Sequence, residues 1–368
     1  MSAAMRVLLT ADAVGGVWQY ATDLARALAE RDIETIIAVL EPSPSDDQRS
    51  TARAIGCTQL IEIAHPLDWL CDGPEPILKA GALIGEIAQD EHADIVQLNM
   101  PSLGAAAPPP LPVVAMTHGC VPTWWQESRP GEPLPEPLAW HHVLTGEGLQ
   151  AADEVVSPSA AYARAVARHY GLQRTPAVVH NGRLFDPPGH GLVRECVFTA
   201  GRLWDHAKNA ALLDRIAARL GVPFLAAGPI AGPHGERADL RHLNLLGTLD
   251  ASGMAQQLAN RPVFVSAARF EPFGLAVLEA AAAGCALILS DIPVFRELWD
   301  GAAIFVQGED EAAWARCIEA VIGDPRARAL LGDAARERAS RYTAGAMADH
   351  MLRLYVRTIA RSTGRVAA

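Results

Sequence analysis

The sequence predicts an α/β protein of two Rossmann-like domains, each a parallel sheet flanked by helices. Three observations lead there. Short β-branched runs alternate with longer amphipathic stretches almost throughout, which is the pattern of βαβ units. Near the middle, Arg183–Val193 interrupts the alternation with Pro187, Pro188, Gly189 and Gly191, the chemistry of a linker. The 368 residues suffice for two domains of ordinary size, each burying its own core. The predicted boundaries are a first domain over 1–185, a second over 193–342, and a closing helical segment over 343–368 that packs toward the first.

In the first half the predicted strands are Val7–Thr10, Thr35–Leu40, Leu60–Ile63, Ile95–Asn99, Val113–His118, Glu154–Ser157 and Ala177–His180. Val17–Glu30 carries an apolar face at helical spacing through Val17, Tyr20, Ala21, Leu24 and Leu28. The Pro-rich run Ala107–Pro112 reads as a loop. In the second half the strands are Val197–Ala200, Phe224–Ala227, Asn244–Leu246, Val263–Ser266, Ala286–Ser290 and Ile304–Val306, with helical segments between them. Helical stretches close the chain, the last over Thr343–Arg361. Open α/β sheets bind ligands beyond the carboxyl ends of their strands, so two such edges facing across a cleft would give each of two substrates its own domain.

Charge narrows the partners. The formal net charge is −11. Residues 1–180 hold 10 basic and 22 acidic side chains, a net of −12, and the remainder holds 21 and 20, a net of +1. An acidic first half repels nucleic acid and anionic lipid, so an anionic ligand is expected mainly in the second half. No apolar run reaches the ~20 residues needed to cross a bilayer. Stable membrane insertion is therefore not expected, although transient membrane contact stays compatible with the sequence. The N-terminal Met5–Ala11 reads as a first strand rather than a signal peptide. The cysteines, Cys57, Cys71, Cys120, Cys196, Cys285 and Cys317, are scattered without a CxxC pair, which predicts reduced thiols and a cytoplasmic protein.

The segment 266–280, Ser-Ala-Ala-Arg-Phe-Glu-Pro-Phe-Gly-Leu-Ala-Val-Leu-Glu-Ala, is the most informative in the chain. A strand is expected to end near Arg269, with Pro272 in the first turn of the following helix. Gly274 permits close approach of a ligand, and the amides of Phe273, Gly274 and Leu275 would offer a phosphate cradle at the helix N-terminus. Such a dipole interaction is worth only ~0.3–1 kcal/mol when exposed, so cationic partners are needed as well. Glu271 precedes the expected helix and Glu279 lies two turns along it, and eight residues at ~1.5 Å each separate them by roughly 12 Å. That separation suits the two ends of an extended, phosphate-containing ligand with hydroxyls at each end.

These residues, followed by 281–291 (Ala-Ala-Ala-Gly-Cys-Ala-Leu-Ile-Leu-Ser-Asp) and Arg296-Glu297-Leu298, resemble the retaining GT-B glycosyltransferases of family GT4. The resemblance extends over Gly15-Gly16-Val17, Thr117-His118-Gly119, His180-Asn181-Gly182 and Ala200-Gly201-Arg202-Leu203 with Lys208-Asn209. It implies a GT-B fold, two Rossmann-like domains facing across a cleft, with an acceptor domain first and a nucleotide-sugar donor domain second. It further implies that Glu271 contacts the transferred sugar, Glu279 the donor ribose, and Arg202 with Lys208 the diphosphate. Two cations are what a departing nucleoside diphosphate needs as charge grows on it. The family's usual spacing for this pair is five positions, and here it is six, so residues 204–207 are expected to bulge. The same resemblance brings the amides of Gly15 and Gly16 toward the donor phosphates, and gives His118 a polar contact with the donor sugar. Thr248 and Leu249 lie where main-chain groups would read the base.

Trp124 and Trp125 form either a platform for a sugar acceptor or a core-filling pair. His141 and His142 would bind metal only with further ligands that the sequence does not supply. No Asp-x-Asp motif occurs, so Arg202 and Lys208 would replace a divalent metal, and no cofactor is expected. No carboxylate stands out as a nucleophile, so the paired-carboxylate scheme of retaining hydrolases is not supported. The resemblance implies front-face displacement instead, with a donor phosphate oxygen taking the acceptor proton. The function expected is transfer of a hexose from a GDP-mannose or UDP-glucose type donor to a hydroxyl of a glycan, glycolipid or small molecule. A non-catalytic nucleotide-sugar-binding protein and a GT-B nucleotide-sugar epimerase are the alternatives. An oxidoreductase is disfavoured because the GxGxxG fingerprint is missing.

Overall fold

A computed structural model describes residues 5–105, 111–185 and 193–366. Most of the Pro-rich run at 107–112, and residues 186–192 of the expected linker, lie outside the described residues. The chain divides into two compact units, Met1–Arg183 with Thr343–Ala368, and Leu184–Tyr342.

The first unit is built on strands β1 (Arg6–Asp12), β2 (Glu34–Glu41), β3 (Thr58–Pro66), β4 (Ile95–Leu98), β5 (Val113–Met116), β6 (Glu154–Ser157) and β7 (Ala177–Val178). They pair in parallel in the order β3-β2-β1-β4-β5-β6-β7. Successive side chains of a strand point to opposite faces, and here both faces are covered. Val7 and Leu9 pack with Tyr20, Leu24 and Leu28 of the helix Gly16–Ala29. Leu8 packs with Ile77 and Ile84 of the helix Glu75–Asp90. The C-terminal helix Ala344–Val366 adds Met347, Met351 and Tyr355, spaced four apart on one face, to the same cluster as Val7 and Leu9.

The chain leaves and re-enters this unit at one place. Arg183 bridges Thr343 and forms an ion pair with Asp23 of the first helix. Gly182 lies so close to the returning segment that a Cβ there would sit 2.0 Å from the Thr343 carbonyl oxygen. Only glycine fits without moving backbone.

The second unit repeats the design with β8 (Val197–Ala200), β9 (Phe224–Ala227), β10 (Asn244–Gly247), β11 (Val263–Ser266), β12 (Leu287–Ser290) and β13 (Ile304–Val306). These also pair in parallel, in the order β10-β9-β8-β11-β12-β13. Its core joins Val197, Phe224, Val263 and Ile288 from the sheet to Leu212 and Ile216 on one helix and Trp314 and Ile318 on another. Each strand in both units lies on a run predicted from the sequence, with ends shifted by a few residues.

Strand order turns around at one point in each sheet, between β1 and β4 in the first and between β8 and β11 in the second. At such a point neighbouring connections depart to opposite faces, which opens a crevice at the carboxyl ends of the two strands.

Candidate functional site

In the second unit the residues that follow β8 and β11 converge at the switch point. β8 runs into Gly201, whose φ of +153° is rare for any residue with a side chain. A Cβ on neighbouring Gly228 would meet the Gly201 carbonyl oxygen at 1.7 Å, so the ends of β8 and β9 approach through paired glycines. Arg202 follows, half exposed, and its Nη2 donates to Asp205 Oδ2 at 2.7 Å. Asp205 is buried, and its other oxygen accepts from the Ala207 amide at 2.9 Å. The extra residue between Arg202 and Lys208 is taken up here. His206–Lys208 is a single 3-10 turn that Asp205 caps and Asn209 closes at φ 54°. The expected bulge is thus an ordered turn.

Lys208 Nζ lies 2.5 Å from Glu271 Oε2, with both side chains partly buried. This contact joins the β8 and β11 connections directly. Lys208 and Lys79 are the only lysines in the chain, against 29 arginines. That contrast is a compositional signal for position 208.

The Glu271 segment differs from expectation in two respects. β11 ends at Ser266, and the next helix, Leu275–Ala282, begins three residues after Pro272. Gly274 stands before it in the left-handed region at φ 97°, a conformation that excludes helix at that residue. Pro272 is therefore in the bend and not in the first helical turn. Glu279 lies one turn into the helix, and the helical rise from Leu275 to Glu279 is only about 6 Å. Glu271–Gly274 is not helical, so helical rise does not set the Glu271 to Glu279 separation at roughly 12 Å, and Glu279 is one turn rather than two into its helix. Leu275 opens the helix, so its amide has no intrahelical acceptor. Phe273 is buried edge-on against Tyr342, with ring centroids 5.7 Å apart, and anchors the bend. Thr248, exposed, and Leu249, half-buried, follow β10 at the sheet edge, where the Gly247 carbonyl accepts from the Gly228 amide at 2.8 Å.

The first unit has a different switch point. Asp12 ends β1, and its Oδ1 accepts from the Val14 amide at 2.9 Å and the Gly15 amide at 3.1 Å. The amide of Gly15, expected to face a phosphate, is engaged by a carboxylate. Gly16 begins the helix, so its amide has no intrahelical acceptor. His118 stands two residues beyond β5, half-buried, with its Nε2 3.1 Å from Asn99 Oδ1 and its ring edge-on to Tyr20 at 4.4 Å. Burial lowers its pKa from 6.5 to about 3, so the imidazole is neutral at physiological pH. Asn99, Gln97, Thr10 and Tyr355, the groups behind it, were not singled out from the sequence. Gln97 offered a signal, a polar side chain inside the fully buried strand Ile95–Leu98.

Trp124 and Trp125 lie on the helix Val121–Ser128, half-buried, with ring centroids 6.1 Å apart. Trp125 is held by its own connection: its Nε1 donates to the Glu132 carbonyl at 3.2 Å, and the Arg129 guanidinium lies 4.8 Å from its ring centre. His141 and His142 diverge. His141 is buried and stacked on Trp140 at 3.7 Å, while His142 is 3.1 Å from His169. Among the described residues no group of three or more His, Cys, Asp or Glu side chains is placed to hold a metal ion. No helix among them is long and apolar enough to cross a membrane.

Two family models match successive parts of the chain: Glycosyltransferase Family 4 over residues 14–183 and Glycosyl transferases group 1 over residues 194–324. The phosphatidyl-myo-inositol mannosyltransferase of Mycolicibacterium smegmatis is 28% identical over 170 residues, 43% of this chain and 44% of that protein. The match thus spans less than half the length of that relative. Among solved structures, sucrose-phosphate synthase from Thermosynechococcus elongatus superposes with a TM-score of 0.78 at 18% identity, over 97% of this chain and 100% of that one. The Anabaena protein HepE in complex with UDP-glucose gives 0.73 at 16% identity, over 96% and 100%. At these identities the likeness is one of fold, and the fold is GT-B.

Proposed function

The chain belongs to glycosyltransferase family 4, and on that premise we propose that it transfers a hexose, with retention, from a nucleotide-diphospho-sugar to a hydroxyl acceptor. The observation that carries the reading is the contact of Lys208 with Glu271 at the β8/β11 switch point, with Arg202 held on Asp205 in the same connection after β8. A diphosphate leaving group gains negative charge as its bond to the sugar breaks, and preorganised cations stabilise that charge. Buried Asp205 holds Arg202 and the turn before Lys208, so neither cation has to be gathered when the donor arrives. Glu271, now on Lys208, is an acceptor suited to sugar hydroxyls and would exchange partners as phosphate takes the lysine. The half-buried Glu279 serves the ribose in this reading, the amides at Gly274 and Leu275 serve the phosphates, and Thr248 and Leu249 lie by the base.

We assign the donor to residues 193–342 and the acceptor to residues 1–185, with His118 touching a sugar hydroxyl. Trp124 and Trp125 are the candidates for stacking on an acceptor, with Arg129 over the ring of Trp125. The donor would be of GDP-mannose or UDP-glucose type. The mannosyltransferase similarity favours the first, and the fold shared with a UDP-glucose complex keeps the second. The acceptor would be a glycan, glycolipid or small molecule, met in the cytoplasm. With both cations in place, the reaction would need no divalent metal.

The test is a panel of UDP-, GDP- and ADP-sugars, with nucleotide release followed with and without acceptors. One donor should be hydrolysed slowly, with the rate kept in chelator and lost in Glu271→Ala and Arg202→Ala. Binding without release from any donor would leave a nucleotide-sugar-binding protein. Loss of release in chelator would overturn metal independence.

A further inference from the structure

We propose that Asn99 is the positioning residue for His118, holding it as the tautomer protonated on Nε2, so that Nδ1 meets a ligand as a hydrogen-bond acceptor. The proposal rests on the reading of His118 as a ligand-contacting residue.

The direction of every bond follows from one backbone atom. The Thr10 carbonyl oxygen in β1 can only accept, and it lies 2.6 Å from the Asn99 side-chain amide, which must present Nδ2. The Asn99 backbone amide donates to Thr10 Oγ1 at 2.8 Å and fixes the residue from the same side. Asn99 Oδ1 therefore faces away from β1. It accepts from Gln97 Nε2 at 2.8 Å and lies 3.1 Å from His118 Nε2. A carbonyl oxygen has no proton to give, so the proton of that contact is on His118 Nε2. The imidazole is neutral, which leaves a lone pair on Nδ1. No described residue hydrogen-bonds to Nδ1.

A second support reaches Asn99 from the C-terminal helix. Gln97 is fully buried, and its Nε2 also donates to Tyr20 Oη at 3.0 Å. Its Oε1 accepts from the buried Tyr355 hydroxyl. A flipped Gln97 would set its oxygen against Asn99 Oδ1 and leave Tyr355 without its acceptor. All three hydrogen-bonding positions of the Gln97 amide that the structure fills agree with one orientation. The chemical consequence is selective. Nδ1 accepts from a hydroxyl, and a carbonyl, carboxylate or ether oxygen placed there would meet lone pair with lone pair.

The test is heteronuclear NMR of ligand-free protein labelled with 15N in the imidazoles, with His118 assigned by its loss in His118→Gln. The wild type should show a protonated Nε2 and an unprotonated Nδ1 in a single neutral form. Asn99→Ala should shift His118 toward a mixture of tautomers, and Tyr355→Phe should do so less, with the fold checked by the unchanged resonances of other histidines. A proton on Nδ1 in the wild type would overturn the proposal, as would an unaltered tautomer in folded Asn99→Ala. Kinetics separate this from the functional reading. Asn99→Ala should lower kcat/KM for the donor by a few-fold, less than the roughly tenfold loss expected when the His118 hydrogen bond is removed outright. A His118→Ala enzyme as active as wild type would remove His118 from the ligand site while the NMR result on the tautomer stood.

Discussion

The two switch points come from one architecture and are chemically opposite. In the second unit the crevice is charged: Arg202 sits on Asp205, and Lys208 on Glu271. In the first it is neutral, an amide and hydroxyl network of Thr10, Gln97, Asn99 and Tyr355 behind an uncharged His118. Asp12, at the end of β1, is turned onto the amides of Val14 and Gly15. The contrast teaches that a parallel α/β sheet supplies a place for a ligand, while the residues just past its strands decide whether that place handles charge or reads hydroxyls. A nucleotide-sugar is a molecule with both kinds of part.

The sharpest way to break the comparison is to remove one group from each crevice. Arg202→Ala and Lys208→Ala should each slow donor turnover by roughly 10²–10³, the cost of losing one preorganised group that stabilises the transition state. His118→Ala should cost only about tenfold, as one hydrogen bond does. Steady-state kinetics with the preferred donor would check this, and a reversed order would abolish the assignment of charge handling to the second unit.

Stability should be sensitive where the chain of the first unit closes on itself. Gly182→Ala forces a Cβ against the Thr343 carbonyl oxygen, and overpacking of this kind typically costs about 1–3 kcal/mol. Urea unfolding should show a lowered midpoint, whereas Gly221→Ala in the second unit, with open space around its Cβ position, should show little change.

Acid should also act on the first unit. His118 and His141 both have pKa values lowered by burial, to about 3 and about 4. The unfolded chain takes up these protons near pH 6.5, before the folded chain does. The stability gained from holding both rings neutral is therefore complete above pH 6.5 and is lost as pH falls toward 4 and then 3. Denaturant midpoints at pH 7.5 and 5, read from the fluorescence of Trp140 beside His141, should fall with pH, and less so in His141→Gln. Salt should have the smallest effect. Nucleoside diphosphate binding should weaken by a few-fold between low and physiological ionic strength, because partly exposed cations are screened.

Much of the fold was legible because parallel strands covered on both faces are written as short apolar runs, and Val197–Ala200 or Val263–Ser266 cannot easily be anything else. Strand order was not legible, since no local signal says that β1 lies between β2 and β4. The pairing of Lys208 with Glu271 joins residues 63 apart in sequence, and it depends on that order. Helix starts were misread where backbone conformation overrode a residue preference. Pro272 favours a first turn, but Gly274 in the left-handed region delays the helix to Leu275. The support behind His118 was invisible for a simpler reason: Tyr355 reads as one more apolar position on a terminal helix, and its hydroxyl acquires meaning only against Gln97.

The central claim is that the charged crevice of the second unit holds the donor's diphosphate. Calorimetric titration of the preferred nucleoside diphosphate into wild type, Arg202→Ala, Lys208→Ala and His118→Ala tests it most directly. The account predicts that either cation variant weakens binding at least tenfold while His118→Ala binds like wild type. Unchanged affinity in Lys208→Ala and Arg202→Ala would contradict it.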